Sequence, residues 1–194
     1  MSGVIGKNED RYSGQIAAVI GIETRSTDPA VAAVGVWTTA NICPVDQYEL
    51  AYFGTTSAAA LTVGGGSGGT QSYIYSGTWA TSGNRTVNTQ SSAGTGTTSA
   101  GLIWCGSGTD VTEEFDGTSF TNVGANPTSS RNYLTGGIGI QTAALGYGGT
   151  APTNPLTSSM EYNGTSWSAG GNLQTAVLGA AGCGLQTAGL TFAG

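Results

Sequence analysis

Histidine is absent from this 194-residue chain, and lysine occurs once, at Lys7. The first absence removes the commonest general base and the commonest metal ligand. Charged residues make up only 8% of the chain, eleven acids against five bases, for a net charge of −6. A chain without a basic patch cannot neutralise phosphates, so nucleic acid is excluded as a partner and an anionic membrane surface is disfavoured. No run of eighteen apolar residues occurs, which predicts no membrane insertion through a helix. Residues 1–20 carry Lys7, Glu9, Asp10 and Arg11 where a signal peptide needs an apolar centre, so no signal peptide is expected. The three cysteines, Cys43, Cys105 and Cys183, are odd in number and lack metal-ligand spacing. They read as small buried hydrophobes, not as a disulfide framework or a zinc site.

What the chain does have is glycine, 34 residues of it, with much Thr, Ser, Ala and Asn. Good helix formers are scarce, and such a composition suits short strands joined by tight turns. It is not a disordered composition, because 38% of residues are apolar and four Trp and eight Tyr are available for a core.

A repeat organises these residues. Thr187–Gly194 nearly copies Thr142–Gly149, and Ser99–Gly106 and Ser57–Gly64 are looser copies. The leucines at their centres, Leu61, Leu102, Leu145 and Leu190, are spaced by 41, 43 and 45 residues. A period of that length signals a repeat architecture, in which function lies in what the array displays. Within the best copy, Asn163-Gly164 sits between Tyr162 and Trp167, which predicts a hairpin closed by a two-residue type I′ turn. Phe115-Asp-Gly-Thr-Ser-Phe120 repeats that hairpin, and Tyr75-Ser-Gly-Thr-Trp79 repeats it one residue shorter.

Each unit therefore offers four short strands: one before a Gly-rich turn, a small-residue strand, and the two strands of the aromatic hairpin. The small-residue second strand is expected nearest an axis, with the aromatics filling the space between sheets, as in a propeller blade. The units run over about 48–85, 86–127 and 128–172, with a half unit at 173–194. Three and a half blades fall short of a closed ring. The chain is read first as a fragment of a longer array. Missing strands supplied by the N-terminal region, or by other copies in an oligomer, are the alternatives. Residues 1–47 do not match the repeat. They contain a strand at Val31–Trp37, a turn from Asn41 to Pro44 and an extended polar arm at Ser2–Arg11. They are read as an anchoring or capping segment.

A strand ending in Gly-Gly, followed by a Tyr and then a Trp, resembles the kelch repeat. Gly148-Gly149, Tyr162 and Trp167 carry the pattern, and Arg131 stands where kelch units often place an arginine. The wording Glu-Tyr-Asn-Gly-Thr-Ser-Trp, then Gly-Gly-Asn-Leu, then Gln-Thr-Ala-Gly-Leu-Thr-Phe is similar to kelch-like arrays in virion and tail-fibre proteins of tailed phages, marine ones especially. The resemblance covers about residues 50–194. The doublet is complete at Gly64-Gly65, broken at Cys105-Gly106 and reduced to Ala193-Gly194, and Phe120 replaces the Trp of its unit.

Gly65-Gly-Ser-Gly-Gly69 matches the nucleophile elbow of serine hydrolases, but without histidine no general base can serve it, and a Gly-rich turn explains it. The same absence excludes a kelch-type copper oxidase. The glycine clusters at 136–139 and 179–184 lack the following helix of a dinucleotide loop. Glu113-Glu114-Asp116, the one acidic cluster, is read as polar residues at a strand end and not as a calcium site. Asn84-Arg-Thr86 and Asn163-Gly-Thr165 match glycosylation sequons, which carry no meaning without a signal peptide. Among the aromatics Tyr73, Tyr75, Trp79, Trp104, Tyr147, Tyr162 and Trp167, the core takes most, leaving at most a subset for a sugar-binding face.

These readings predict an all-β protein of kelch-like propeller blades, four-stranded antiparallel sheets in an incomplete ring, after a short N-terminal segment. It is expected not to be an enzyme and to have no catalytic, cofactor-binding or metal-binding residues. The resemblance implies a structural phage virion protein, a tail fibre or capsid decoration, made in the host cytoplasm. It would join other virion proteins through its N-terminal segment, form a homo-oligomer and adhere to a host-surface glycan. The alternative is a cellular kelch-like carbohydrate- or protein-binding module.

Overall fold

The computed structural model describes residues 43–44, 51–56, 59–64, 69–125, 137–151 and 153–192, all within one compact unit, Ile42–Gly194. The readings at Ser2–Arg11, Val31–Trp37, Arg131 and Ala193-Gly194, and most of those at 41–47 and 65–69, lie outside the described residues.

The described residues are all-β and contain no helix. The first sheet comprises β1 (Ala51–Thr56), β2 (Ala59–Val63), β3 (Ser72–Tyr75) and β4 (Trp79–Thr81). The second comprises β5 (Ala93–Thr97), β6 (Ala100–Trp104), β7 (Val111–Phe115) and β8 (Phe120–Ala125). The third comprises β9 (Ile138–Ile140), β10 (Ala143–Tyr147), β11 (Ser159–Tyr162) and β12 (Trp167–Ala169). A two-stranded sheet of β13 (Ala181–Leu185) and β14 (Ala188–Phe192) follows. Every sheet is antiparallel, with its strands in chain order, and none closes into a barrel.

The sheets stack because each has one knobbed face and one glycine face. On the first sheet, Phe53 pairs with Leu61 and Ala51 with Val63, and all four side chains are buried. They meet Gly94 of the second sheet, where an added Cβ would lie 3.2 Å from the Phe53 ring. The second sheet turns Thr95, Leu102 and Trp104 toward Gly137 and Gly146 of the third. The third turns Ile138 and Tyr147 toward Gly182 and Gly189 of the fourth. Strand alternation puts knobs and glycines on opposite faces of the same strands. Close-packed knobs of this kind would overlap a methyl group at Gly137, Gly146 or Gly182 and would have to shift to admit one at Gly94 or Gly189.

The first strands, not the second, lie innermost. β1 packs on β5, β5 on β9 and β9 on β13, each at the edge of its own sheet. This corrects the expectation that placed the small-residue second strand there. The first strand has a glycine at one fixed place: Gly54, Gly96, Gly139 and Gly184 all have positive φ, and a side chain on any of them would strike the carbonyl of the second strand.

The aromatic hairpin is also longer than expected. Tyr162 pairs with Trp167, leaving the four-residue loop Asn163–Ser166, and only Gly164 has positive φ, at 91°. Asn163 closes the loop with its side chain instead, its Oδ1 accepting from the backbone N–H groups of Thr165 and Ser166 at 3.0 and 2.9 Å. An Asn oxygen that mimics a backbone turn removes the need for a second positive φ. Asp116 plays the same part in the loop between Phe115 and Phe120. The N–H groups of Ser119 and Thr118 hold its carboxyl below the usual range.

Candidate functional site

The first strands of all four sheets, with β2 beside β1, line a cavity of about 800 Å³. Its wall is built from β1, β2, β5, β9 and β13, and no charged residue is among the described residues lining it. Hydroxyls from Thr55, Thr62 and Thr97 and the glycine-rich backbone supply the polar groups. Thr95 donates its hydroxyl to the Gly139 carbonyl at 2.8 Å, tying β5 to β9 across the wall. Two large side chains reach into solvent here, Tyr52 at 62% exposure and Ile140 at 49%. Tyr52 stands where the second and fourth sheets carry Gly94 and Gly182, so the first sheet presents a ring instead of a flat glycine face. A neutral wall with hydroxyls, backbone groups and an exposed aromatic ring suits a neutral polyhydroxyl ligand, which takes hydrogen bonds and ring stacking without ionic contacts.

The aromatics singled out in the sequence are mostly elsewhere. Tyr73, Tyr75, Trp104, Tyr147, Tyr162 and Trp167 are buried, and Trp79 is half-buried against Tyr75 at a ring distance of 5.2 Å. Trp104, Trp167 and Tyr162 form one stack, with centroids 5.1 and 5.0 Å apart. They hold sheets together. Tyr52, which no repeat marks, is the exposed aromatic on the cavity wall, beside the buried Phe53.

The acidic cluster does not converge. Glu113 is fully buried in an ion pair with Arg85, whose Nε lies 2.5 Å from Glu113 Oε2. Thr86 donates its backbone N–H and its hydroxyl to the other carboxylate oxygen, and Arg85 Nη1 donates to Ser92 Oγ at 3.0 Å. Burial draws the Arg85 guanidinium below its ordinary range, opposed by the Glu113 charge. Glu114, on the opposite face, accepts the Tyr162 hydroxyl at 3.1 Å, and Asp116 caps its loop. Among the described residues no three His, Cys, Asp or Glu side chains gather as metal ligands. The three cysteines differ: Cys105 is buried at φ 55°, Cys43 is intermediate and Cys183 is exposed on the cavity wall.

Sequence reasoning also missed a clip between sheets. Gln141 donates its Nε2 to the carbonyls of Gly101 and Phe115, and Gln186 donates likewise to Ala144 and Tyr162. Both glutamines sit in the turn after the first strand and reach back to the second and third strands of the sheet before. The signal was present in the matching runs Ile140-Gln-Thr-Ala143 and Leu185-Gln-Thr-Ala188. Comparison with protein-family models gives no match, and no curated protein matches the chain either.

Proposed function

We propose that this chain is a non-enzymatic structural protein of a tailed-phage particle, a tail fibre or capsid decoration, whose kelch-like blades display an adhesive surface. The observation that carries this reading is the directional stacking of sheets, knob face on glycine face, around a neutral cavity. Such an array is a rigid scaffold whose polar chemistry is spent on cohesion. The buried carboxylate Glu113 is neutralised by Arg85. The cavity offers hydroxyls and Tyr52, the contact set of a neutral glycan on a host surface. A charge-poor, hydroxyl-rich protein of this kind serves attachment on a rigid frame. The kelch resemblance at Gly148-Gly149, Tyr162 and Trp167 supports the family of display proteins named above.

The neutral cavity equally suits a carbohydrate-binding module of a cell, which is the second reading. Mass spectrometry of purified particles, with cryo-electron microscopy of the same sample, separates the two. The virion reading predicts the chain in fixed stoichiometry on capsid or tail. Its absence from particles, with neutral-glycan binding retained by the free protein, would establish the cellular module instead.

A further inference from the structure

The hairpin loops of the second and third sheets share one geometry but begin with different residues. Residues 116–119 join β7 to β8, and residues 163–166 join β11 to β12. In each loop the first residue donates its backbone N–H to the carbonyl of the fourth, Asp116 to Ser119 at 3.2 Å and Asn163 to Ser166 at 3.1 Å. The second residue of each is glycine with positive φ, Gly117 at 98° and Gly164 at 91°. One side-chain oxygen of the first residue accepts from the backbone N–H groups of the third and fourth. These bonds are 2.8 Å each to the Asp116 carboxylate and 3.0 and 2.9 Å to the Asn163 amide. A charged acceptor holds such donors more tightly than a neutral one. The loop therefore accommodates the acid at least as well as the amide.

Asn163 and Gly164 are the one Asn-Gly pair in the sequence. Such a pair carries its own nucleophile and leaving group, because joining the Gly164 nitrogen to Asn163 Cγ closes a five-membered ring. Glycine places no Cβ beside that nitrogen. Three features of the loop favour the reaction. Among the described residues the Gly164 N–H has no hydrogen-bond acceptor, so no bond must break to free it. The Thr165 and Ser166 N–H groups converge on Asn163 Oδ1, the oxygen that takes up negative charge when Cγ is attacked. Asn163 is exposed, so water and base reach it.

We infer that Asn163 is a self-modifying residue, converted to aspartate by the Gly164 nitrogen and water while the loop keeps its shape. The Gly164 nitrogen attacks Cγ and loses its proton to solvent. The Cγ–Nδ2 bond breaks, the departing nitrogen takes up a proton, and ammonia leaves. Water then opens the cyclic imide. Addition at Cγ breaks the new bond to Gly164 and gives aspartate. Addition at the main-chain carbonyl carbon breaks the original peptide bond and gives isoaspartate. The net change is asparagine plus water to aspartate plus ammonia, with no oxidation or reduction. The two N–H groups polarise the Cγ carbonyl and direct water there. Isoaspartate would also insert an extra backbone carbon between the paired residues Tyr162 and Trp167. The loop of the third sheet thereby gains the negative charge that Asp116 already supplies in the second.

The test is incubation of the whole folded protein in heavy-oxygen water at mildly alkaline pH, beside a sample unfolded in guanidinium chloride. Peptide mapping, with fragmentation that separates aspartate from isoaspartate, reads position 163. Asn84, Asn122 and Asn172, each followed by a larger residue, are internal controls. The folded protein should take up label at 163 at least about tenfold faster than at the controls. Its aspartate-to-isoaspartate ratio should exceed that of the unfolded sample by about tenfold. Asn163→Asp should melt at or above the parent's temperature. An unlabelled Asn163 in the folded protein would overturn the proposal, and conversion in the unfolded sample alone would show that the hydrogen bonds protect the amide. The same product ratio in both samples, or an Asn163→Asp variant that melts below the parent, would also overturn it.

Discussion

The ring of Phe53 fills the space that a side chain on Gly101 would need: a Cβ there would overlap its Cε2 and Cζ atoms. The two residues lie in different sheets, Phe53 on β1 and Gly101 on β6. Their contact is the first of a series that continues through Trp104 against Gly146 and Ile138 against Gly189. Cohesion between blades therefore depends on glycines as much as on the knobs, and it runs in one direction along the array.

The buried pair of Arg85 and Glu113 gives the largest expected single-site effect. Glu113→Ala leaves a buried guanidinium without its counter-charge and should destabilise the protein by about 3–5 kcal/mol. Replacing both residues by Met should recover most of that loss, since two apolar groups of similar volume do not need the pair. Urea unfolding of the three variants checks both statements.

Gln141→Ala removes two hydrogen bonds that span sheets, to the carbonyls of Gly101 and Phe115. The expected cost is about 1–3 kcal/mol. Hydrogen exchange should localise the loosening to the interface of the second and third sheets, not to the hairpin of β11 and β12.

Gly164 holds φ at 91° in the hairpin loop, a conformation that a β-branched residue adopts only with strain. Gly164→Val should cost about 1–3 kcal/mol. Gly171, with no neighbouring atom near its Cβ position and no positive φ, is the control and should accept Ala with a melting temperature close to the parent's.

Alkaline pH tests the Tyr162 contact. Burial, then the hydrogen bond to Glu114 and its charge, push the phenol up to about 12. The folded state thus favours the neutral, donating form. The stabilisation is complete below the ordinary tyrosine value near 10 and is lost as pH rises toward 12. The melting temperature should fall over that window, and Tyr162→Phe should flatten the fall. Equal slopes in the two proteins would show that the contact does not couple to folding.

The strand content and the aromatic hairpins were legible because they rest on local chemistry: short apolar runs, Gly-rich turns and an Asx-Gly pair between aromatics. The loop type was misjudged because Asn163 acts through its side chain, which a two-residue turn signal does not represent. The choice of inner strand was not legible, since Ala51–Thr56 and Ala59–Val63 both alternate small residues with a buried apolar side chain, Phe53 and Leu61, and only packing between sheets decides between them. Burial of the repeated leucines was not legible either. Leu61 and Leu102 are fully buried, Leu145 is half-buried and Leu190 is 62% exposed, although all four occupy the same place in the repeat. Their environments come from the neighbouring sheet, which a single repeat does not encode. The partnership of Arg85 with Glu113 follows no period, so it too emerged only from the fold.

The most direct measurement of the stacking account is a double-mutant cycle of Gly101→Ala and Phe53→Ala, read by denaturant unfolding. Each single change should destabilise, the first by crowding the ring and the second by emptying the space beside it. The account predicts that the double variant is more stable than the sum of the single losses implies, with a coupling of about 1–2 kcal/mol. Additive losses would contradict it, because the two residues would then not share the space on which the blade-to-blade contact depends.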